Sequence, residues 1–374
     1  MRICHFTLGS VNPNSSNGIN KVLLGVNKEL QKLVDDIVVV TVRKKNRKEK
    51  EIFERPGFRV VSFATLKGAI QFITKEIQFD VCHIHNVWSR ENVKVARSVA
   101  KMGKPYIISA HSGLSMDRVK GSNYFIKKAF QWLWQRDMLD KADTLHALCH
   151  EEASEISAFT SNKSFKVIPN GIDSVREDVD LGKGEIEEDI IRLGFIGRIA
   201  EEKNIHSLVE ALTLLPRCIQ ARVRLDLIGS YESNYGQKIV DFISKHNLKE
   251  QVVLHGSLYG DELKKAREKI DIYTHVSLSE GSSLSIIEAM ADGKLCIFSR
   301  TSNIAYFYDS NAFIMCEPLA FDISNSIYKA VKTIDDGQYI MYSKRAVSLV
   351  ENKLLWSAIS KEYIEMYSAI IRPR

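Results

Sequence analysis

The sequence predicts an α/β protein made of two Rossmann-like units in tandem, and three observations carry that prediction. Short apolar runs alternate with amphipathic ones along most of the chain, as strands do when each feeds a helix around a mostly parallel sheet. The alternation stops in an acidic, glycine-containing stretch at 174–189 and then starts afresh, which reads as an interdomain linker. The 374 residues exceed what one core usually organises, so two domains are expected, at 1–175 and 176–352, followed by a terminal helix at 353–374.

In the first half, 2–8 is an apolar first strand and 19–33 a helix. Strands follow at 37–42 and 59–63, then a helix at 68–77, a strand at 81–85 and a helix at 90–102. Strands at 106–110 and 144–149 complete the set, the latter running into a helix at 151–159. After the linker the expected order is strand 190–196, helix 205–215, strand 222–228, helix 236–246, strand 252–255 and helix 261–268. Strand 271–276, helix 284–291 and strand 294–298 come next, and helical stretches at 322–334 and 353–371 close the chain. This is the alternation of a doubly wound sheet, twice over.

Composition narrows the classes. No apolar run approaches the ~20 residues that a membrane span needs, and residues 1–9 fit a first strand better than a signal peptide, so a cytoplasmic location is expected. Six cysteines (Cys4, Cys82, Cys149, Cys218, Cys296, Cys316) show no C-x-x-C pair, the pattern of reduced core thiols. The formal charge of +6 is uneven: residues 1–175 carry +10 and the remainder −4. The first half therefore faces something negative more readily than the second, with an anionic membrane surface, a phosphorylated acceptor or nucleic acid as candidates and a solvated lysine-rich surface as the alternative. No nucleic-acid-binding motif accompanies the charge.

The most informative segment is 279–293, where Glu280 and Glu288 flank seven residues across a loop that opens into an apolar helix. With a strand just before it, the loop lies at the edge where open α/β sheets bind ligands. Backbone N–H groups at Ser282, Ser283 and Leu284 favour an anion such as phosphate, and the carboxylates can accept hydrogen bonds from sugar hydroxyls. A nucleotide-sugar offers both kinds of group. After the first strand of the second half, Arg198 and Lys203 flank another helix start, and two cations aimed at one anion suit a diphosphate.

Gly197-Arg198 with Lys203, the Glu280/Glu288 pair, and the run Val167-Ile168-Pro169-Asn170-Gly171-Ile172-Asp173 together resemble the large family of retaining GT-B glycosyltransferases acting on nucleotide-sugars. The resemblance covers nearly the whole chain. It implies an acceptor domain followed by a donor domain, a cleft between them, and a C-terminal helix returning to the first domain. It also implies transfer with retention of anomeric configuration and no metal or other cofactor. Arg198 and Lys203 would hold the diphosphate, Glu288 the ribose, and Glu280 the donor sugar, with Ser282, Ser283 and Leu284 adding backbone contacts. Ser109-Ala110-His111-Ser112-Gly113 is similar to the family's acceptor-side loop, whose histidine lies near the reacting sugar, so His111 and Glu280 become the catalytic candidates. Asn17-Gly18-Ile19-Asn20 is similar to its glycine-rich loop, where Gly18 lets backbone approach the donor phosphates. Two departures stand out: Asn17 replaces the usual first glycine, and Ser282-Ser283 replaces an aromatic or aliphatic residue followed by a small one.

The expected function is thus a hexosyl- or N-acetylhexosaminyl-transfer from a nucleotide-sugar, UDP-linked by preference, to a glycan acceptor, as in bacterial surface-polysaccharide (O-antigen or capsule) assembly. A GDP-mannose-type donor, a sugar-nucleotide epimerase and a non-catalytic sugar-nucleotide-binding protein are the alternatives. Aromatics interleave with cations at 117–139, and 43–50 is strongly basic. Docking on the inner face of the cell membrane, to reach a lipid-linked acceptor, is the expectation built on these segments. Metal is not expected. His83 and His85 share a strand face and His146 lies in a strand, but no carboxylate or cysteine completes a ligand set. Asp178-Val179-Asp180 imitates a metal-binding Asp-x-Asp but sits in the linker.

Overall fold

Parallel strand pairing organises both halves of the chain. The computed structural model describes residues 1–11, 18–43, 48–114, 127, 129–176, 190–303 and 311–371. It divides into two units, Met1–Asp173 with Leu355–Arg374, and Ser174–Leu354.

The first unit holds β1 (Arg2–Leu8), β2 (Asp36–Val42), β3 (Lys50–Arg55), β4 (Phe58–Phe63), β5 (Val81–His85), β6 (Tyr106–Ser109), β7 (Thr144–Ala147) and β8 (Phe165–Val167). They form one sheet in the order β3-β4-β2-β1-β5-β6-β7-β8, parallel except for the antiparallel β3/β4 edge. Apolar faces of the central strands, among them Val38, Val40, Ile84 and Ile108, build the core with the helix Arg90–Lys101. In the register, His5 pairs with His83, His85 with Ser109, and Ser109 with His146. Lateral partners in a sheet share a face, so four adjacent strands present one polar row. The helix Trp356–Ile370 belongs to this unit. Its Trp356 N–H donates to Ile172 O at 2.8 Å, and its indole fills the space that a Cβ on Gly25 of the helix Gly18–Leu30 would take, 2.0 Å from Nε1.

Several details differ from expectation here. The strands β3 and β8 are additional, one at each edge of the sheet; the charged, alternately exposed sequence of β3 suits that place. The helix expected at 68–77 is Leu66–Gln71 continued by a π-helical turn, Phe72–Glu76. The strand expected to reach Cys149 ends at Ala147, because the Cys149 Sγ accepts the Glu152 N–H and caps the helix His150–Ser157.

The second unit is a six-stranded, all-parallel sheet of β9 (Ile191–Ile196), β10 (Val223–Ile228), β11 (Val252–Gly256), β12 (Ile272–His275), β13 (Leu295–Ser299) and β14 (Ile314–Cys316), ordered β11-β10-β9-β12-β13-β14. From β9 the chain winds first to one side and then to the other, so the carboxyl ends of β9 and β12 flank the switch point where such sheets bind ligands. At that edge Gly197 and Gly229 touch: a Cβ on Gly229, at φ +154°, would lie 1.8 Å from Gly197 O. A helix at Tyr339–Lys353 was not expected. Among the described residues, no helix is long and apolar enough to cross a membrane.

Candidate active site

The segment following β12 gathers three polar side chains onto one carboxylate. His275, the last residue of β12, is buried, and its Nε2 lies 2.9 Å from Glu280 Oε1. Ser277 Oγ donates to the same oxygen at 3.1 Å. Lys203, 77 positions earlier in the chain, closes an ion pair on it. Burial would raise the Glu280 pKa, but the His275 hydrogen bond and the Lys203 ammonium hold it well below the usual carboxylate range. Burial also lowers the His275 pKa in spite of Glu280. The imidazole is therefore neutral at pH 7, with Nε2–H donating to Glu280 and Nδ1 accepting from Tyr273 OH at 3.2 Å. All three donors converge on Oε1, and Oε2 takes none of the hydrogen bonds made by the described residues.

Backbone locks hold this cluster in place. Asn204, in the left-handed conformation at φ 55°, donates its Nδ2–H groups to Val276 O at 3.2 Å and Pro318 O at 2.9 Å. Ser299 and Thr301 hydroxyls donate to Ser277 O at 2.7 and 2.6 Å, and Ser302 donates to His275 O at 3.0 Å. A preorganised carboxylate is what this network produces.

The other donor-side candidates take different positions. Lys203 ends the turn Glu201–Lys203 and is engaged by Glu280 rather than standing free at the helix Ile205–Thr213. Arg198 is exposed and pairs with Glu202 at 2.9 Å. The helix Leu284–Ala291 begins after Ser283 without a side-chain cap, since the Ser283 hydroxyl bonds Ser285 instead, at 2.9 Å. Its first amides are thus available to an anion. Glu288 lies on that helix with its Oε2 3.6 Å from Arg267 Nη1, beside a small pocket lined by Tyr273, Ser285 and Lys294. The structure therefore joins Lys203 to Glu280 and leaves Glu288 with Arg267.

In the first unit, Gly18 opens the helix Gly18–Leu30, and a Cβ there would meet nothing within 4 Å. His111 and Ser112 follow β6 at φ 49° and 59°, a conformation costly for two consecutive residues with side chains. The loop is tied by the buried Glu152, whose carboxylate accepts the Ser112 and Leu148 N–H groups, each at 2.6 Å. Trp88 Nε1–H adds a bond to Gly113 O at 2.6 Å. Burial, helped by neighbouring His146, lowers His111 from 6.5 to about 3, so it is neutral at physiological pH.

Behind His111 the polar row of the sheet forms hydrogen-bonded chains. Nitrogens of His5, His83 and His85 lie within 4.8 Å of one another, close enough for a metal ion. The same rings stack and bond in series: His5 Nδ1 with His85 Nε2 at 3.0 Å, and His83 with Tyr367 at 2.8 Å and Ser109 at 2.6 Å. Both ring nitrogens of His83 and His85 are thus engaged by protein groups, whereas His5 keeps an unpartnered Nε2. The Asp178–Asp180 triplet, Asn17, and parts of the basic and aromatic segments (44–47, 115–126 and 128) lie outside the described residues.

His275, Ser277 and the serines after β13 were missed by sequence reasoning. The available signal was a histidine and a serine interrupting the apolar run 272–277, since a buried polar side chain needs a partner.

Comparison with known proteins identifies the fold and the family. The family "Glycosyltransferase Family 4" matches residues 16–176 and "Glycosyl transferases group 1" matches 177–333. The UDP-Gal:α-D-GlcNAc-diphosphoundecaprenol α-1,3-galactosyltransferase of Escherichia coli is 24% identical over 303 residues, covering 75% of this chain and 73% of the relative. The GPI3 component of phosphatidylinositol N-acetylglucosaminyltransferase from Saccharomyces cerevisiae is 20% identical over 380 residues, covering 91% of this chain and 78% of the relative. Among solved structures, a sucrose-phosphate synthase from Thermosynechococcus elongatus superposes with a TM-score of 0.79 at 16% identity, over 99% of this chain and 98% of the other. Anabaena HepE, solved with UDP and glucose, gives 0.74 at 16% identity, over 99% and 100%. With both sheets, both family matches and these neighbours in agreement, the chain belongs to the GT-B glycosyltransferases, enzymes that take a sugar from a nucleotide-sugar donor.

Proposed function

We propose that this enzyme transfers a hexose or N-acetylhexosamine from a UDP-sugar to a hydroxyl of a lipid-linked glycan, with retention of configuration and without a metal. The setting is surface-polysaccharide assembly at the cytoplasmic side of a membrane. The observation that carries this reading is the Lys203–Glu280–His275 cluster at the carboxyl edge of the second sheet, beside an uncapped helix start.

Lys203 has three N–H donors and uses one on Glu280, leaving two for phosphate oxygens. Arg198 would leave Glu202 to clamp the same diphosphate. At an effective dielectric of ~20, each charge pair at ~4 Å contributes roughly 4 kcal/mol before desolvation, enough to stabilise a departing nucleotide diphosphate. Glu280 Oε2 accepts from donor-sugar hydroxyls, Glu288 from the ribose, and amides of Ser282–Leu284 line the donor. Gly18 admits phosphate near its helix start, and His111 contacts a hydroxyl of the reacting sugar. In the transfer, the anomeric carbon–phosphate oxygen bond breaks as the bond to the acceptor oxygen forms on the same face. The acceptor proton passes to the departing phosphate oxygen.

The UDP and lipid parts rest on the relatives. The name of the E. coli enzyme specifies UDP-Gal and a diphosphoundecaprenol-linked acceptor, and the name of the yeast relative specifies phosphatidylinositol. Exposed Trp132 and Leu133, in a turn followed by Arg136, give the first unit a surface suited to a lipid interface. The test offers UDP-, GDP- and ADP-sugars with a diphosphoundecaprenol-linked acceptor. UDP should appear only when UDP-sugar and acceptor are both present, and Arg198→Ala should lower kcat/KM by roughly 100-fold. Near-normal turnover in Arg198→Ala would remove the diphosphate assignment, and turnover with GDP-sugar alone would overturn the choice of base.

A further inference from the structure

We propose that Arg267 is a positioning residue for Glu288: anchored on Asp292, it fixes where the Glu288 carboxylate stands and so sets how strictly the donor site requires the ribose hydroxyls of its nucleotide. This rests on the reading of Glu288 as the ribose contact.

Two carboxylates one turn apart are a poor choice for the end of a helix. Glu288 and Asp292 stand at i and i+4 along the helix Leu284–Ala291 and its C-terminal cap, where like charges repel. As the cap, Asp292 also sets a negative charge against the negative end of the helix dipole. Local preference is thus broken twice, which marks a place where another demand prevails. Arg267 answers both carboxylates from the last turn of the neighbouring helix Gly260–Glu268.

Three contacts hold the guanidinium. Its Nε–H donates to Asp292 Oδ2 at 2.9 Å, its Nη2 pairs with the same oxygen at 2.6 Å, and Nη2 also donates to the Glu288 carbonyl at 3.2 Å. They use one edge of a planar fork and so fix its plane, leaving Nη1 3.6 Å from Glu288 Oε2. At that distance the attraction is electrostatic rather than a hydrogen bond. Arg267 therefore draws the carboxylate to one place without spending one of its lone pairs, whereas Lys203 binds Glu280 directly. A lysine at 267 would bring the charge but not the fixed plane.

The arrangement lies where a nucleotide can use it. Arg267, Glu288 and Asp292 side chains are each at most a quarter exposed, so solvent and salt screen them less than a surface pair. The recess that they line includes Ile196, the last residue of β9, and Ser285, in the first turn of the helix. Glu288 thus borders a space that reaches the carboxyl edge assigned to the donor. The two ribose hydroxyls are adjacent, and a carboxylate already held in place accepts from both without the cost of being ordered on binding.

The experiment measures, by titration calorimetry on the intact enzyme, the Kd of UDP, GDP and ADP, each beside its 2′,3′-dideoxy form. For the nucleotide that binds, loss of both hydroxyls should weaken binding by at least about tenfold, and Glu288→Ala should abolish that ratio. Arg267→Met should bring the ratio to within about threefold of unity while the dideoxy Kd stays within about twofold, because phosphate and base contacts persist. Asp292→Asn, which keeps the guanidinium but loosens its anchor, should fall between. In the Glu288→Ala background, adding Arg267→Met should change the ratio no further. An Arg267→Met enzyme that keeps the ratio, or that binds both forms more weakly by the same factor, would make these ion pairs only a tie between two helices. That result would overturn the proposal and leave the ribose reading standing. A raised ratio would make Arg267 a competitor of the ribose and would overturn it too. A full ratio in Glu288→Ala, or none in the unaltered enzyme, would remove the ribose reading itself and the proposal with it.

Discussion

Lowering the pH from 7 to 5 should loosen the first unit, because its buried histidines fold without their protons. His5 and His146 are almost wholly inaccessible; burial takes His5 from 6.5 to about 3, and burial takes His146, against its bond to Ile168, to about 4. Between those values and 6.5 the unfolded chain binds protons that the folded one refuses. Stability is thus complete above 6.5 and declines as the pH falls towards the folded-state values. At pH 5, about 1.5 units below the unfolded value, each histidine costs ~2 kcal/mol, and the pair ~4 kcal/mol. His83 and His85, lowered in the same direction by burial, add to this. For a unit of this size ~4 kcal/mol corresponds to a fall in Tm of roughly 8–16 °C. All four tryptophans, Trp88, Trp132, Trp134 and Trp356, belong to the first unit, so intrinsic tryptophan fluorescence reads its melting alone. His146→Gln keeps an acceptor and a donor without titrating and should recover about 2 kcal/mol of the loss. A tryptophan-monitored Tm that moves by less than about 4 °C between pH 7 and 5 would refute the reasoning.

Four other outcomes follow from the second unit and the donor-side candidates. Lys203→Met strands the buried Glu280 carboxylate and should cost about 3–5 kcal/mol in urea unfolding followed by circular dichroism; adding Glu280→Gln should restore most of the stability but not the turnover. Gly229→Ala forces a Cβ against Gly197 O and should destabilise by more than about 2 kcal/mol. Gly18→Ala meets no neighbour, so its Tm should hold while the donor KM rises. Activity after exhaustive chelation should stay within about twofold of the untreated enzyme if, as proposed, Arg198 and Lys203 supply the positive charge a metal would otherwise bring; a loss restored by divalent cation would contradict this.

The parallel sheets were legible because many of their strands carry continuous apolar runs, such as Ile37–Val40 within β2 and Leu295–Phe298 within β13. The strand β3 was not, since Lys50, Glu51, Glu54 and Arg55 leave only Ile52 and Phe53 as apolar signal. The helix Tyr339–Lys353 escaped for a related reason: its buried residues are Ser343, Ala346 and Val350, a narrow stripe with a polar member. Each half of the Lys203–Glu280 cluster could be seen in its own loop. What could not be seen was that Lys203 and Glu280 meet, because contacts across 77 positions depend on strand order rather than on local pattern. The same holds for the histidine row, whose members come from β1, β5 and β7 and the loop after β6, and become neighbours only when the sheet aligns them.

The return of Trp356–Ile370 to the first unit has a consequence during synthesis. Residues 174–354 form a contiguous unit that can complete itself while the ribosome is still translating. The first unit cannot, because Tyr367, the partner of His83, and Trp356, the occupant of the Gly25 notch, are made after it. Whereas domains usually fold in the order they emerge, here the part made first is finished last. The nascent chain carries an open, histidine-lined sheet face until the helix Trp356–Ile370 leaves the exit tunnel.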